Sequence, residues 1–142
     1  MSSRTRWIRV LLISTFAGLM SSCSSPSTSP THRPAGNALG PYSASVTAGN
    51  TTYVSGQVSP HADFATEVRG TIAKVKAQLA RAGLTLADVV AATVYLTDIG
   101  NYGAFNEIYQ AEFPAPYPAR ACVAVKQLPA NARVEIMVTA TR

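Results

Sequence analysis

Apolar residues recur along this chain with two different spacings, which separate its predicted helices from its predicted strands. From residue 64 to residue 79 the apolar positions step by four and three, the pattern of a helix with one buried face. Asp63 is placed to cap the start of this helix, and Gly83 is placed to end it. The same spacing returns over residues 101–113 and predicts a second amphipathic helix, which Pro114 stops.

Other stretches alternate apolar and polar residues at the period of a β-strand. They cover residues 42–48, 51–58, 88–97, 120–125 and 133–140. Gly56 inside the second stretch predicts a bulge or a close approach of another group to the backbone. The order β-β-α-β-α-β-β predicts an α+β fold in which two helices cover one face of a mixed sheet. The other face carries semi-polar rows, such as Thr93, Tyr95 and Thr97, that suit an interface with another subunit.

The first 22 residues have the composition of a secretion signal. Arginines near the start precede an apolar stretch at residues 10–20 that is short for a membrane span. Small residues then lead to Cys23, an arrangement that resembles a bacterial lipobox and implies a lipid on that sulfur. We expect a lipoprotein anchored in the cell envelope and facing the periplasm, in the outer membrane of a Gram-negative cell because Ser24 follows the cysteine. Met20 stands where such motifs usually have leucine, so secretion to the periplasm without a lipid is the alternative.

Composition divides the rest of the chain into a tether and one domain. Residues 23–37 are rich in Ser, Pro and Thr and cannot bury enough apolar surface to offset the entropy of ordering, so we predict a flexible tether. Residues 38–142 are enough for one domain. The net charge of +5 falls to +2 once the three arginines of the signal are removed. This balance does not indicate nucleic-acid binding, and the sequence has no Cys and His spacing typical of a metal site.

Two charged residues near the end of the chain offer candidate chemistry. Arg120 follows a proline at the head of an apolar strand, and a guanidinium held there suits a carboxylate bound through two hydrogen bonds. Glu135 points away from the apolar face of the last strand. If the two strands pair as a hairpin through residues 128–131, Glu135 lies across from Ala124 and near Cys122, within reach of a shared pocket. An edge arginine and a solvated strand glutamate are the alternative.

Several short motifs, read in order over residues 38–142, resemble the RidA (YjgF) family of enamine/imine deaminases. They are Gly40-Pro41-Tyr42-Ser43, Val54-Ser55-Gly56-Gln57-Val58, Ala82-Gly83-Leu84, Phe105-Asn106-Glu107-Ile108-Tyr109, Pro118-Ala119-Arg120-Ala121-Cys122-Val123 and Leu128-Pro129. The resemblance implies a chorismate-mutase-like fold and a homotrimer with sites in the clefts between subunits. It implies no metal and no organic cofactor, because an imine is already electrophilic.

The reaction implied by the resemblance is hydrolysis of a 2-imino acid, formed from a reactive enamine, to a 2-oxo acid and ammonia, as in 2-iminobutanoate/2-iminopropanoate deaminases. Arg120 would hold the substrate carboxylate, and Glu135 would position or deprotonate the attacking water. Backbone groups near Cys122 would contact the imine nitrogen. Tyr42 would form a wall of the pocket, and Asn106 would help to line it.

Each of these residues also has a purely structural interpretation. Cys122 in an apolar strand is typical of a small core residue, Tyr42 and Asn106 can simply pack, and Arg120 can pair with a carboxylate of the next subunit. The competing hypothesis for the whole protein is a non-catalytic module of the same fold. Such a module would bind small carboxylates or act as a holdase at the cell envelope.

The chain also departs from the family pattern at several positions. The loop at residues 58–63 is shorter than usual, Glu67 and Lys74 stand where glutamine and asparagine are common, and Met137 replaces an acidic residue. These differences leave Arg120 and Glu135 in place but make substrate preference a separate question.

Overall fold

The computed structural model describes residues 29–36 and 39–142. Its elements in chain order are the strands and helices β1 (Thr31–Pro34), β2 (Ser43–Ala48), β3 (Thr51–Gln57), α1 (Phe64–Arg81), β4 (Val89–Leu96), α2 (Tyr102–Glu112), β5 (Ala119–Ala124) and β6 (Val134–Thr141). The predicted signal and its Cys23 lie outside the described residues. None of the helices in the described ranges is long and apolar enough to cross a membrane.

The strands form one mixed sheet in the order β1-β2-β3-β6-β4-β5. Neighbouring strands run antiparallel except for β4 and β5, which are parallel because α2 carries the chain back between them. Both helices pack against one face of the sheet, whose buried residues join α1 and α2 in a single core. The predicted α+β fold with a mixed sheet and two helices is therefore confirmed.

The strand order corrects the predicted hairpin, because β4 lies between β5 and β6. Arg120 of β5 pairs with Ala92 of β4, and Glu135 of β6 pairs with Tyr95 of β4. The strand β6 takes the more central place because its alternate residues, from Val134 to Ala140, are all buried. The edge position falls to β5, whose residues are exposed or half-buried. Glu135 does not lie across from Ala124, as the hairpin would require.

The face of the sheet away from the helices stays open in a single chain. Apolar side chains on it remain exposed, among them Tyr53 at 53%, Val123 at 45% and Met137 at 39%. The hydroxyl of Tyr95 lies 3.7 Å from the sulfur of Met137 on this face. This is the surface for which the alternation predicted an interface.

Local signals explain the limits of α1. The carboxylate of Asp63 accepts a hydrogen bond from the backbone N–H of Thr66 at 2.7 Å, and this bond lowers the pKa of Asp63. Gly83 follows the helix with a φ of +70°, a conformation that glycine adopts without strain. Both predicted ends of the helix are confirmed.

An ion pair between a buried carboxylate and a half-buried guanidinium joins α1 to the start of β6. Glu67 is 1% exposed and accepts hydrogen bonds from the backbone N–H and the Nε of Arg133, at 2.6 and 2.9 Å. The same guanidinium donates to the carbonyl oxygens of His61 and Ala62. The departure noted at Glu67 is therefore part of a network that holds the shortened loop against β6.

The strand β1 corrects the boundary of the predicted tether. Thr31–Pro34 pair with β2 in the antiparallel sense, although the sequence analysis placed them in the tether. Arg33 donates to the Thr47 hydroxyl at 2.7 Å and to the carbonyl oxygen of Arg81 at 3.2 Å. A polar segment is thus ordered because it completes the edge of β2 and caps the end of α1.

Candidate functional site

Arg120 lies on the helix-facing side of β5, against one face of α2. Its Nη2 donates to Oδ1 of Asn106 at 2.6 Å and to the Tyr102 hydroxyl at 3.4 Å. Its guanidinium carbon lies 4.5 Å from the ring centre of Tyr109 and 5.5 Å from that of Phe105. The aromatic residues on this face of α2 thus hold the arginine by a hydrogen bond and cation–π contacts.

A cavity of about 440 Å³ lies beside this guanidinium. Its lining is Asn106, Tyr109, Gln110, Tyr117, Pro118 and Arg120. Among the described residues, no carboxylate lies within ion-pair distance of Arg120. The charge of the guanidinium is therefore available to an anion from outside the described chain.

Tyr109 is a member of this group to which the sequence assigned no role at the site. It is 4% exposed, and its hydroxyl has no hydrogen-bond partner among the described residues. Burial raises the pKa of Tyr109 to about 12, against the lowering effect of Arg120, so the hydroxyl stays neutral. The one signal that could have found it is its spacing of three from Asn106, which places both on one face of α2.

Cys122 lies on the same side of β5 as Arg120 and packs against the core. Burial raises the pKa of its thiol, and the nearby Arg120 only partly opposes this effect. The thiol is therefore protonated and a poor nucleophile. This agrees with a site that uses the backbone near Cys122 and not its sulfur.

Glu135 lies on the open face of the sheet, over Gly56 of β3. The ladder between β3 and β6 is interrupted between Val54 and Gln57, so the predicted bulge is confirmed. A Cβ atom at Gly56 would overlap Oε1 of Glu135 and lie 2.7 Å from its Cδ. The predicted close approach to Gly56 is thus also confirmed, and the group that approaches is the candidate base. Burial raises the pKa of Glu135 above its ordinary value.

Tyr42 and Glu135 share a cavity of about 390 Å³. The rest of its lining is Leu39, Gly40, Ser55, Gly56, Val58 and Pro129. The residues of the Gly-Pro-Tyr motif and of the β3 motif therefore meet at the end of the sheet where Glu135 lies. This cavity offers a proton-transfer group beside an aromatic wall.

The predicted site residues fall into two groups on opposite faces of the sheet. Arg120, Asn106 and Cys122 lie on the helix side, whereas Tyr42 and Glu135 line the cavity at the open face. The shared pocket expected for Arg120 and Glu135 within one chain is therefore wrong. One group can bind a carboxylate and the other can move a proton, but a single chain does not bring them together.

Comparisons with known proteins agree with this fold. The profile of the family described as Endoribonuclease L-PSP matches residues 31–142. The 2-iminobutanoate/2-iminopropanoate deaminase of Escherichia coli (strain K12) is 36% identical over 115 residues, which cover 74% of this chain and 90% of that protein.

Solved structures give the same result. RidA from the Antarctic bacterium Psychrobacter sp. PAMC 21119 superposes with a TM-score of 0.72 at 37% identity, over 74% of this chain and 91% of that chain. Escherichia coli TdcF with bound serine superposes with a TM-score of 0.70 at 35% identity, over the same shares.

Proposed function

The chain belongs to the RidA (YjgF) family, described as Endoribonuclease L-PSP, and from this premise we propose that it hydrolyses 2-imino acids to 2-oxo acids and ammonia. The observation that carries the proposal is the pair of complementary half-sites. A guanidinium without a carboxylate partner among the described residues lines one cavity, and a carboxyl group with a raised pKa lines the other. An imino acid carries both a carboxylate to be held and a C=N bond to be hydrated. The name of the E. coli relative supports 2-iminobutanoate and 2-iminopropanoate as the substrate class.

We propose further that the complete site forms between copies of the chain. Because Arg120 and Glu135 face opposite sides of the sheet, one substrate can meet both only if they come from different copies. A head-to-tail contact of this kind forms either a ring or an open filament, and the family resemblance favours a ring of three copies. The exposed apolar residues of the open face, such as Tyr53 and Val123, support a surface that another copy covers. Light scattering of the purified protein tests the assembly.

The two half-sites divide the chemistry between them. Arg120, held by Asn106, binds the substrate carboxylate and fixes the imine carbon in front of Glu135 of the neighbouring copy. Water adds to that carbon while Glu135 accepts its proton, and Glu135 returns this proton to the imine nitrogen to give a carbinolamine. The proton of the new hydroxyl then passes to the nitrogen, the C–N bond breaks, ammonia leaves and the C=O bond forms. Tyr42 forms a wall of the cavity, and backbone groups near Cys122 contact the imine nitrogen. The structure of TdcF with bound serine supports a ligand that carries an α-carboxylate.

The family description names a ribonuclease, a function that we do not favour. RNA-binding surfaces are usually strongly basic, with aromatic residues interleaved. Outside its signal segment this sequence has a net charge of only +2.

We propose a cell-envelope location on the sequence of the first 23 residues. The arginines, the apolar stretch and Cys23 support a lipid anchor with the domain on the periplasmic side. Mass spectrometry of the mature amino terminus tests this proposal. A lipid-modified Cys23 is the expected result, whereas a free Cys23 or a different cleavage site would contradict it.

The experiment that tests the enzymatic proposal measures ammonia release from 2-iminopropanoate, generated in situ by an amino-acid oxidase. We expect the wild-type protein to accelerate release and Arg120→Ala to abolish the acceleration. Arg69→Ala is the matched control, since Arg69 is exposed on α1 and lines neither cavity.

Absence of acceleration by folded, assembled wild-type protein would overturn the enzymatic proposal. Saturable binding of 2-oxo acids without turnover would then identify a carboxylate-binding module. Protection of other proteins from aggregation that is indifferent to Arg120→Ala would identify a holdase.

A further inference from the structure

A second cavity adjoins the one around Glu135 and is lined by Lys74, an exposed residue of α1. The two cavities share Leu39, Tyr42, Gly56 and Val58 in their linings, so they adjoin at these residues. The second has a volume of about 390 Å³ and extends along α1, where Lys74 faces it. Nothing in the imine chemistry described above uses this space.

Lys74 provides the charge of this second cavity. Its Nζ donates to the carbonyl oxygen of Val58 at 2.7 Å, which leaves two of its N–H donors unused by the described residues. Within residues 29–36 and 39–142, its Nζ has no carboxylate within 4.0 Å. Among the described residues that line this cavity, Lys74 is the one with a charged side chain. The cavity therefore favours an anion.

Amide groups add further polarity beside Lys74. The Oε1 of Gln78 accepts a hydrogen bond from Arg81 at 2.9 Å, so the amide N–H groups of Gln78 remain as donors in the cavity. The amide of Gln57 is already used, because its Nε2 donates to the carbonyl oxygens of Ser55 and Gly56. The donors left free in this part of the lining thus belong to Lys74 and Gln78.

We propose that this second cavity is a subsite for a distal carboxylate, and that the preferred substrates are 2-imino dicarboxylic acids with four or five carbons. The inference rests on the proposed function. With the α-carboxylate on Arg120 of a neighbouring copy and the imine carbon at Glu135, the side chain of the substrate extends past Tyr42 toward Lys74. The reaction is unchanged, since water adds to the C=N bond and ammonia leaves without any oxidant or reductant.

The test compares two imines with wild type and Lys74→Gln. An amino-acid oxidase generates 2-iminobutanoate, and a glutamate oxidase generates 2-iminoglutarate, with semicarbazide trapping the imine that the protein has not hydrolysed. Lys74→Gln can still donate to Val58 but lacks the charge. We expect it to lower kcat/KM for 2-iminoglutarate about tenfold, the size typical of a hydrogen bond to a charged group, and to leave 2-iminobutanoate within about twofold.

Two further variants separate the charge of Lys74 from its hydrogen bond to the loop that begins at Val58. Lys74→Arg should retain the preference for 2-iminoglutarate, because it keeps the positive charge. Lys76→Gln is the matched control on the same helix, where Lys76 pairs with Glu112 outside the cavity, and it should change neither substrate. Equal effects of Lys74→Gln on both imines would overturn the subsite.

A binding measurement keeps this inference separate from the proposed function. If the wild type hydrolyses neither imine, the proposed function fails, and calorimetry with the oxo acids still examines the subsite. Tighter binding of 2-oxoglutarate than of 2-oxobutanoate that is lost in Lys74→Gln would support the subsite. Equal binding of the two acids, or a preference that survives Lys74→Gln, would overturn it.

Discussion

Substitution of Gly56 by alanine should damage catalysis far more than stability. A Cβ atom at this position would overlap Oε1 of Glu135 and lie 2.7 Å from Cδ, whereas ordinary contact begins at 3.4 Å. The carboxyl carbon must therefore retreat by at least about 0.7 Å, and the overlapping oxygen by more. The backbone at Gly56 need not move, because the atoms that the Cβ would overlap are at the flexible end of the Glu135 side chain.

The size of the effect follows from this displacement. A misplacement of about 1 Å in a catalytic group costs on the order of a hundredfold in rate, so we expect kcat/KM to fall by about that factor. Moving one side chain off its preferred rotamer costs only about 1 kcal/mol, so the free energy of unfolding should fall by no more than that. Gly103→Ala is the matched control, since a Cβ atom there meets nothing within 4 Å.

Deaminase kinetics and denaturant unfolding of Gly56→Ala, Glu135→Ala and the double variant provide the assay. If Gly56 acts through Glu135, the double variant should be no slower than Glu135→Ala alone. Additive losses in the double variant would refute this reasoning. So would full activity of Gly56→Ala.

Arg120, Glu135 and Glu67 each give a further testable expectation. Arg120→Lys should lower kcat/KM at least about tenfold without lowering the melting temperature, because lysine lacks the planar guanidinium that binds a carboxylate through two hydrogen bonds. Steady-state kinetics that match wild type would contradict this role of Arg120. Burial raises the pKa of Glu135 above the ordinary 4.5. As a base, Glu135 must be ionised, so kcat/KM should fall as pH drops through a midpoint above 4.5, and a midpoint at or below 4.5 would contradict its burial. The ionised form is the one that burial disfavours, so the stability of Glu135→Gln relative to wild type should rise as pH increases past the ordinary pKa of 4.5 and level off above the raised pKa. Glu67→Ala should cost about 2 kcal/mol of unfolding free energy, because it removes the buried carboxylate that accepts two hydrogen bonds from Arg133. Glu112→Ala, which removes an exposed pair with Lys76, should cost less than about 1 kcal/mol, and equal losses would contradict the role of burial.

Elements with a strong local signal were predictable from the sequence. The stripe of α1, its cap at Asp63 and its end at Gly83 each depend on residues a few positions apart. The need for a glycine at position 56 was also visible, because a glycine within a strand marks a bulge or a close contact. The polar strand β1 was not predictable, since its order comes from pairing with β2 and from the bonds of Arg33.

The arrangement of the candidate site was only half predictable. Alternation correctly grouped Arg120 with Cys122, and it correctly pointed Glu135 away from the apolar face of β6. It could not show which side of β5 faces the helices, because β5 is an edge strand whose Val123 is exposed while Cys122 packs inward. The strand order depends on contacts between distant segments, and it is this order that separates Arg120 from Glu135.

Subunit complementation tests the composite site most directly. We expect assemblies that contain only Arg120→Ala, or only Glu135→Ala, to be inactive. When the two are unfolded together in equal amounts and refolded, about one quarter of the contacts between copies regain both residues by random mixing. We expect the mixture to recover about one quarter of the activity of the same amount of wild-type protein, because one quarter of its sites hold both residues. Mixed assemblies that form but remain inactive would contradict a site shared between copies.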